Sequence, residues 1–85
     1  MTSQDLTTAA EYAPIIERVH GANHPELTRV REITAQLPNA AEADRVHLFE
    51  ELRTITDDYA IPGDVCETFE ATYRALQRAD DASAA

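Results

Sequence analysis

The stretch that decides the fold is NHPELTRVREITAQL, residues 23–37. Asn23 carries a side chain that accepts hydrogen bonds from the free N–H groups of a helix start, and Glu26 follows at the spacing of a capping box. Pro25 lies in the first turn, where its missing N–H is tolerated. Large apolar residues then recur every three or four positions, at Leu27, Val30, Ile33 and Leu37. The stretch therefore predicts a helix with one buried face.

Two later stretches repeat this pattern and predict two more helices. Asn39 and Asp64 each stand three residues before a glutamate, and each follows a proline by one or two residues. The apolar positions after Asn39 are Ala43, Val46, Phe49, Leu52, Ile55 and Tyr59. Those after Asp64 are Val65, Phe69, Tyr73 and Leu76. Each set has the spacing of one buried helix face.

An N-terminal helix is predicted from a fourth apolar stripe, which ends before Gly21. The stripe consists of Tyr12, Ile15, Ile16 and Val19. A capping box at Thr8 would start this helix early, but Pro14 would then lie inside it and remove a hydrogen bond. We therefore expect a start near Ala13, with Pro14 at the first helical position. A longer helix that is kinked at Pro14 is the alternative.

These elements predict an all-α protein, with a single domain over residues 1–85 built as a small antiparallel bundle of three to four short helices. Residues 1–11 and 80–85 are expected to be mobile ends. Only 22 apolar residues are larger than alanine. Since a chain of this size buries only about 60% of its unfolded surface, the core should be thin. We expect association with a second copy or a protein partner to complete it.

The charge and the single cysteine exclude several classes of partner and location. The net charge is −9 and all seven basic residues are arginine, so we expect neither nucleic acid nor an anionic membrane as a partner. No apolar run approaches the length of a membrane span, and no signal-peptide pattern begins the sequence. Cys66 alone makes no internal disulfide, so the expected location is the cytoplasm.

His47 and Glu51 lie four residues apart in the third predicted helix, so both side chains point from one face. An imidazole and a carboxylate one turn apart are the ligands that helical metal sites use. A solvated pair on the helix surface has the same spacing, and periodicity alone favours it. His47 and Glu51 are still the first candidate ligands for iron or zinc.

His20 and His24 are also four residues apart, but Gly21 and Pro25 place them in the connection between two helices. We expect His24 to cap a helix, and a two-histidine metal clip is the alternative. Cys66 falls in the first turn of the last predicted helix. There the helix dipole lowers the pKa of an exposed thiol, whereas a buried cysteine behaves as a small apolar residue. The sequence leaves both possibilities open.

Catalytic motifs give no support for an enzyme. The sequence contains no protease-like order of Cys, His and Asp, no nucleophile elbow, no phosphate-binding loop and no dinucleotide fingerprint. The arginines are flanked by acids, which favours pairing within each helix over a groove for phosphates.

Two segments resemble the hemerythrin-like iron–sulfur cluster repair di-iron proteins. Residues 19–33, VHGANHPELTRVREI, are similar to the family segment "VHG..HPEL..V.E". Residues 52–76, LRTITDDYAIPGDVCETFEATYRAL, are similar to its pattern "LR.IT..Y..P..AC.T...Y..L". The resemblance covers about residues 19–79. It implies a four-helix bundle that holds two irons through histidines and bridging glutamates, in proteins that repair iron–sulfur centres damaged by nitric oxide or oxidants.

The ligands of that family have few counterparts in this chain. His47 and Glu51 match one His-x-x-x-Glu motif if a short insertion near Pro38 is allowed. An alignment anchored on residues 56–59 instead puts Glu42 or Ala43 where a ligand histidine should be. The last His-x-x-x-Glu motif has no counterpart within residues 1–85. The resemblance therefore implies a cut-down relative that keeps the scaffold and has lost the cofactor.

The function predicted first is that of a non-catalytic helical protein without a cofactor, acting by self-association or by binding another protein. The alternative is a metal-binding stress protein, with iron or zinc shared across a dimer through His47 and Glu51 and supported by His20 or His24. A third hypothesis, an acidic decoy for a nucleic-acid-binding protein, rests on the charge alone.

Overall fold

Alanine is the commonest residue, and alanine, glutamate, arginine and leucine together fill 37 of the 85 positions. These residues favour helix. The computed structural model describes the backbone of residues 2–84 and the side chains of residues 4–83. It contains α1 (Thr2–His20), α2 (Leu27–Gln36), α3 (Glu42–Ile55) and α4 (Glu67–Ala84), with a 3-10 turn at Leu37–Asn39. No strand occurs among the residues described, so the predicted all-α bundle is confirmed.

Helices α1 and α4 lie side by side in opposite directions and form the centre of the bundle. At one end, Arg78 Nε donates to Asp5 Oδ1 at 3.1 Å. At the other end, His20 Nε2 lies 3.3 Å from Cys66 Sγ. The radius of gyration is 11.6 Å, close to the ~12 Å expected of a compact chain of this length. A single copy therefore already forms a compact bundle.

The predicted start of the first helix near Ala13 is wrong, because α1 begins at Thr2 and contains Pro14 in its interior. An internal proline costs a helix a hydrogen bond. The helical segment before Pro14 is stabilised by packing, because Leu6 and Ala9 lie in the hydrophobic core. Thr8 therefore lies well inside the helix rather than at its start. Met1, at the end predicted to be mobile, lies outside the described residues.

The predicted buried face of α1 is also wrong in most of its positions. Ile15 and Val19 are exposed, and Tyr12 is only half-buried. The buried positions are Leu6, Ala9, Ala13 and Ile16. Alanines carry much of this face, and Ala75 and Ala79 of α4 are fully buried as well. Small side chains let two helices approach closely, so here the core depends on residues that a search for large apolar side chains passes over.

The other predicted faces agree better with the structure. All four predicted positions of α2 are buried, as are Phe69, Tyr73 and Leu76 of α4. In the stripe through α3, Phe49, Leu52 and Tyr59 are buried, but Ala43 and Val46 are exposed. Most side chains in the first turns of α3 are exposed, so only its later part faces the core.

None of the three predicted capping boxes forms. The N-cap positions of α2 and α3 are Glu26 and Ala41, and neither makes a side-chain cap hydrogen bond. Asn39 closes the 3-10 turn instead, and Asp64 binds His24. Helices α2, α3 and α4 begin near the prolines, as predicted. The side chains that were expected to cap them make other contacts or none of the predicted ones.

The connection from α3 to α4 is fixed by a buried carboxylate. Asp80 accepts hydrogen bonds from Arg53 Nε at 2.7 Å and from Tyr59 Oη at 2.8 Å. Asp57, Asp58 and Tyr59 all have positive φ, at 53°, 58° and 62°, which is unusual for residues other than glycine. The end predicted to be mobile from residue 80 begins at a buried residue, Asp80, and α4 continues to Ala84. Ala85 lies outside the described residues.

The prediction that arginines pair within their helices is wrong for most of them. Arg31 of α2 donates to Glu17 of α1 at 2.6 Å, and Arg29 of α2 donates to Glu51 of α3 at 2.7 and 2.9 Å. Short connections put antiparallel helices within reach of a guanidinium group, so pairs between helices compete with those along one helix.

None of the described helices combines the length and the apolar character that crossing a bilayer requires.

Candidate functional site

The strongest candidate site lies where α1 ends and α4 begins. We call it the thiol end, and it consists of His20, His24, Asp64, Cys66 and Phe69. His20 is the last residue of α1, not a loop residue as predicted, whereas His24 does lie in the α1–α2 connection. The end of α1, the start of α4 and the connections beside them thus bring these five side chains together.

Cys66 is exposed and stands directly before α4. The N–H of Glu70 donates to its carbonyl at 3.2 Å, which makes Cys66 the N-cap residue. The surroundings of Cys66 lower the pKa of its thiol to about 7. The largest cause is the hydrogen bond with His20, and hydrogen bonds from the backbone N–H groups of Phe69 and Thr68 lower the pKa further. Of the two possibilities that the sequence left open, the exposed thiol is the one found.

His24 lies beside this thiol in a pair of its own. Its Nε2 is 3.0 and 3.1 Å from the two carboxylate oxygens of Asp64, and its Nδ1 is 3.3 Å from Glu26 Oε2. The hydrogen bond with Asp64 raises the pKa of His24, and the same bond lowers the pKa of Asp64. The prediction that His24 caps a helix is wrong, because the N-cap residue of α2 is Glu26.

Phe69 holds both imidazoles in place. Its ring is buried, and its centroid lies 5.6 Å from that of each histidine, His20 and His24. The interplanar angles are 82° and 65°, the edge-to-face geometry that aromatic rings prefer. A buried ring in the first turn of α4 thus positions His20 against the sulfur.

This arrangement can supply an accessible thiolate near neutral pH. A thiolate at a helix N-terminus beside an imidazole is the reactive form of cysteine. Disulfides form and exchange through attack of such a thiolate on a sulfur atom, and the rate is highest when the thiol pKa is near the ambient pH. The chemistry that the thiol end offers is therefore thiol–disulfide exchange.

The four candidate metal ligands are not brought together. His47 is 80% exposed at its side chain, and its Nδ1 lies 3.2 Å from Glu50 Oε1. Glu51 accepts hydrogen bonds from Nε and Nη2 of Arg29. His47 and Glu51 line the same open groove of about 620 Å³ between α2 and α3, but each has a different partner. His20 and His24 lie at the thiol end.

The described side chains of a single chain form no ready-made metal cluster. Within residues 4–83, no group of three or more His, Cys, Asp or Glu side chains is placed to hold a metal ion. The rings of His20 and His24 both pack against Phe69. His20 hydrogen-bonds with Cys66, whereas His24 hydrogen-bonds with Asp64. The two-histidine clip is therefore not formed in this structure.

Sequence reasoning missed the role of Asp64 and the link between Cys66 and His20. Asp64 precedes a helix, so its spacing suggested a cap. The signal that points to the thiol end is the position of each residue at an element boundary, since α1 ends at His20 and α4 begins after Cys66. Antiparallel packing of the first and last helices places these two boundaries together.

The two sequence segments at residues 19–33 and 52–76 meet at this end. His20 and His24 lie in the first segment, and Asp64, Cys66 and Phe69 lie in the second. Comparison of the chain with protein-family models, with curated proteins and with solved structures gives no match.

Proposed function

We propose that this protein is a non-catalytic helical module that acts by association with a second copy of itself, and that Cys66 links the two copies reversibly. The observation that carries the proposal is the exposed Cys66 thiol, held 3.3 Å from His20 at the start of α4. One reactive thiol in each chain suits a symmetric dimer, because the same group on both copies forms the bond.

The chemistry is thiol–disulfide exchange with a low-molecular-weight disulfide as the oxidant. The Cys66 thiolate attacks one sulfur of that disulfide, forms a mixed disulfide and releases a thiolate that takes up a proton. The Cys66 thiolate of a second copy then attacks the Cys66 sulfur of the mixed disulfide. The Sγ–Sγ bond forms and the second small thiolate leaves. The small disulfide is reduced to two thiols while two protein thiols are oxidised.

The surface beside the thiol supports contact between copies. Ile15 and Val19 are exposed on the outer face of α1, at 39% and 63%, and Val19 directly precedes His20. Exposed apolar side chains one helix turn apart favour burial against another surface. The net charge of −9 opposes the approach of a second copy, which a covalent link overcomes.

The test is a time course with oxidised glutathione at pH 7, followed by intact mass spectrometry. We expect a mixed disulfide on Cys66 to form first and a Cys66-linked dimer to replace it. The Cys66→Ser variant should give neither species. A His20→Gln variant should react several-fold more slowly, while the matched variant His47→Gln should react like the natural protein. A mixed disulfide that never proceeds to dimer would contradict the proposal.

The family resemblance belongs to the same proposal. We infer that the chain is a scaffold-only relative of the hemerythrin-like repair proteins, since the described side chains form no single-chain cluster of three such ligands. Anaerobic incubation with Fe(II), followed by metal analysis of the purified protein, tests the metal-binding alternative. Binding of less than about 0.2 iron per chain agrees with the scaffold proposal. Stoichiometric iron that is lost in His47→Ala would overturn it in favour of a metal site shared between copies.

A further inference from the structure

A closed circuit of contacts joins His24 to the Cys66 thiol. The backbone N–H of His24 donates to the carbonyl of His20 at 2.9 Å, and His24 Nε2 lies 3.0 Å from Asp64 Oδ1. Asp64 stands two residues before Cys66, and Cys66 Sγ lies 3.3 Å from His20 Nε2. The separation of the sulfur from its imidazole partner therefore depends on where His24 holds Asp64.

His24 is itself fixed on three sides. Its Nδ1 lies 3.3 Å from Glu26 Oε2, while its Nε2 faces Asp64. A protonated imidazole donates from both nitrogens, so it can bind both carboxylates at once. The ring also packs on Phe69 at a centroid distance of 5.6 Å, and the side chain is only 15% exposed. Asp64 is therefore bound to a side chain whose position is well defined.

The segment that carries the thiol is irregular and needs such an anchor. Residues 60–66 form no helix. Asp64 and Cys66 are both exposed, and of the residues 64–66 only Val65 packs against the core. A side-chain contact two residues before the thiol restricts where this segment can place the sulfur.

We propose that His24 and Asp64 are positioning residues for Cys66, and that their contact holds the start of α4 so that the thiol stays against His20. The inference rests on the proposed reactivity of Cys66 but not on dimer formation. Without the contact, the thiol loses the hydrogen bond with His20 that favours its ionised form. A direct effect of the Asp64 charge has no such consequence, because removing a nearby negative charge does not raise the pKa of a thiol.

The test is the pH profile of Cys66 alkylation by iodoacetamide in the Asp64→Ala variant. Its midpoint should rise toward the ordinary cysteine value of about 8.5, and the rate at pH 7 should fall at least about twofold as the thiolate fraction falls. The matched control is Glu67→Gln, at an exposed acid that directly follows Cys66 and makes none of these contacts. Its midpoint should not rise.

A second variant separates positioning from charge. His24→Ala should raise the midpoint about as much as Asp64→Ala, and the variant that carries both substitutions should raise it no further, because the same contact is lost once. If charge alone acted, removing both members of an oppositely charged pair would return the midpoint to that of the natural protein.

Circular dichroism of each variant shows whether the helices are intact. Asp64→Asn is the milder variant, because its amide oxygen still accepts a hydrogen bond from His24. Its midpoint should lie between those of the natural protein and Asp64→Ala.

A midpoint in Asp64→Ala that is at or below that of the natural protein would overturn the proposal, and so would a double variant that restores the natural midpoint. If Asp64→Ala loses its helices, the same criterion applies to Asp64→Asn. The time course with oxidised glutathione separates this proposal from the proposed function. Raised midpoints in the variants of a protein that forms no dimer would overturn dimer formation alone. Unmoved midpoints in variants that still form the dimer would overturn the positioning role alone.

Discussion

Cys66 shows how a single position in the fold changes the chemistry of a side chain. The sequence places a cysteine in the first turn of a helix, and that much indicates a lowered pKa only when the thiol is exposed. The structure adds the exposure of the thiol and its hydrogen bond with His20, which comes from the packing of α1 against α4. No spacing between residues 20 and 66 predicts that contact. The sequence therefore made Cys66 a candidate, but it predicted neither the exposure of the thiol nor its contact with His20.

The first prediction concerns the titration of this thiol. The rate of Cys66 alkylation by iodoacetamide should rise with pH through a midpoint of about 7, the pKa of the thiol. In His20→Gln the hydrogen bond that contributes most to the lowering is lost, so the midpoint should move up toward the ordinary cysteine value of about 8.5. His47→Gln should keep the midpoint of the natural protein. An unchanged midpoint in His20→Gln would contradict the assigned contact.

The pair of His24 and Asp64 gives a second prediction at this scale. Asp64 raises the pKa of His24 in the folded protein. The pair therefore stabilises the fold at a pH below the pKa of an unfolded histidine, and this stabilisation is lost as the pH rises through the pKa of His24 in the folded protein. The pKa of Asp64 is lowered in the folded protein. The pair therefore stabilises the fold at a pH above the pKa of an unfolded aspartate, and this stabilisation is lost as the pH falls through the pKa of Asp64 in the folded protein. The pair should be strongest between about pH 4 and 6.5.

NMR titration of the histidine ring protons checks this pair. In Asp64→Asn the pKa of His24 should fall, while Asp44→Asn, at an exposed position on α3, should leave it in place. A His24 pKa that is the same in both variants would show that Asp64 is not its partner.

At the scale of elements, Asp80 fixes the path from α3 into α4. Its carboxylate accepts hydrogen bonds from Arg53 and from Tyr59 across a turn of three residues with positive φ. Asp80→Ala would leave the buried Tyr59 hydroxyl unpaired, and we expect a loss of about 2–4 kcal/mol in the free energy of unfolding. Asp81→Ala, the exposed neighbour, should change it by less than about 0.5 kcal/mol. Denaturation by urea measures both, and equal losses would rule out this role of Asp80.

The close packing of α1 on α4 depends on alanines and gives a further prediction for the elements. Ala79 is fully buried and Ala71 is exposed on the same helix. Ala79→Leu forces extra volume into a filled space and should cost about 1–3 kcal/mol. Ala71→Leu adds the same atoms to the surface and should be nearly neutral. If thermal unfolding shows the two variants to be equally stable, α1 and α4 do not pack as closely as described.

The elements also show what could be predicted from the sequence. The faces of α2 and α4 follow from large apolar residues at helical spacing, so Leu27, Val30 and Phe69 were placed correctly. The face of α1 did not follow, because Ala9 and Ala13 carry little hydrophobic signal although they are buried. Pro14 also favoured a helix start near Ala13, because a proline inside a helix removes a hydrogen bond. The burial of Leu6 against the rest of the bundle overrides it.

For the whole molecule, the net charge and the compactness of one copy both oppose association. A single copy is already compact, with a radius of gyration of 11.6 Å, and the formal charge is −9. Two such copies repel each other at low ionic strength, and salt screens that repulsion. Dimer formation through Cys66 should therefore be faster in 0.5 M salt than in 0.05 M salt, where the Debye length is several-fold longer, about 4 against 14 Å.

The mass in solution tests the central claim most directly. Light scattering of the natural protein at pH 7 should give the 9.4 kDa of one chain under reduction. After incubation with oxidised glutathione it should give about twice that mass, and reduction should restore the first value. Cys66→Ser should remain at 9.4 kDa throughout. An oxidised natural protein that stays at the mass of one chain, or a Cys66→Ser variant that doubles its mass under the same treatment, would contradict association through Cys66.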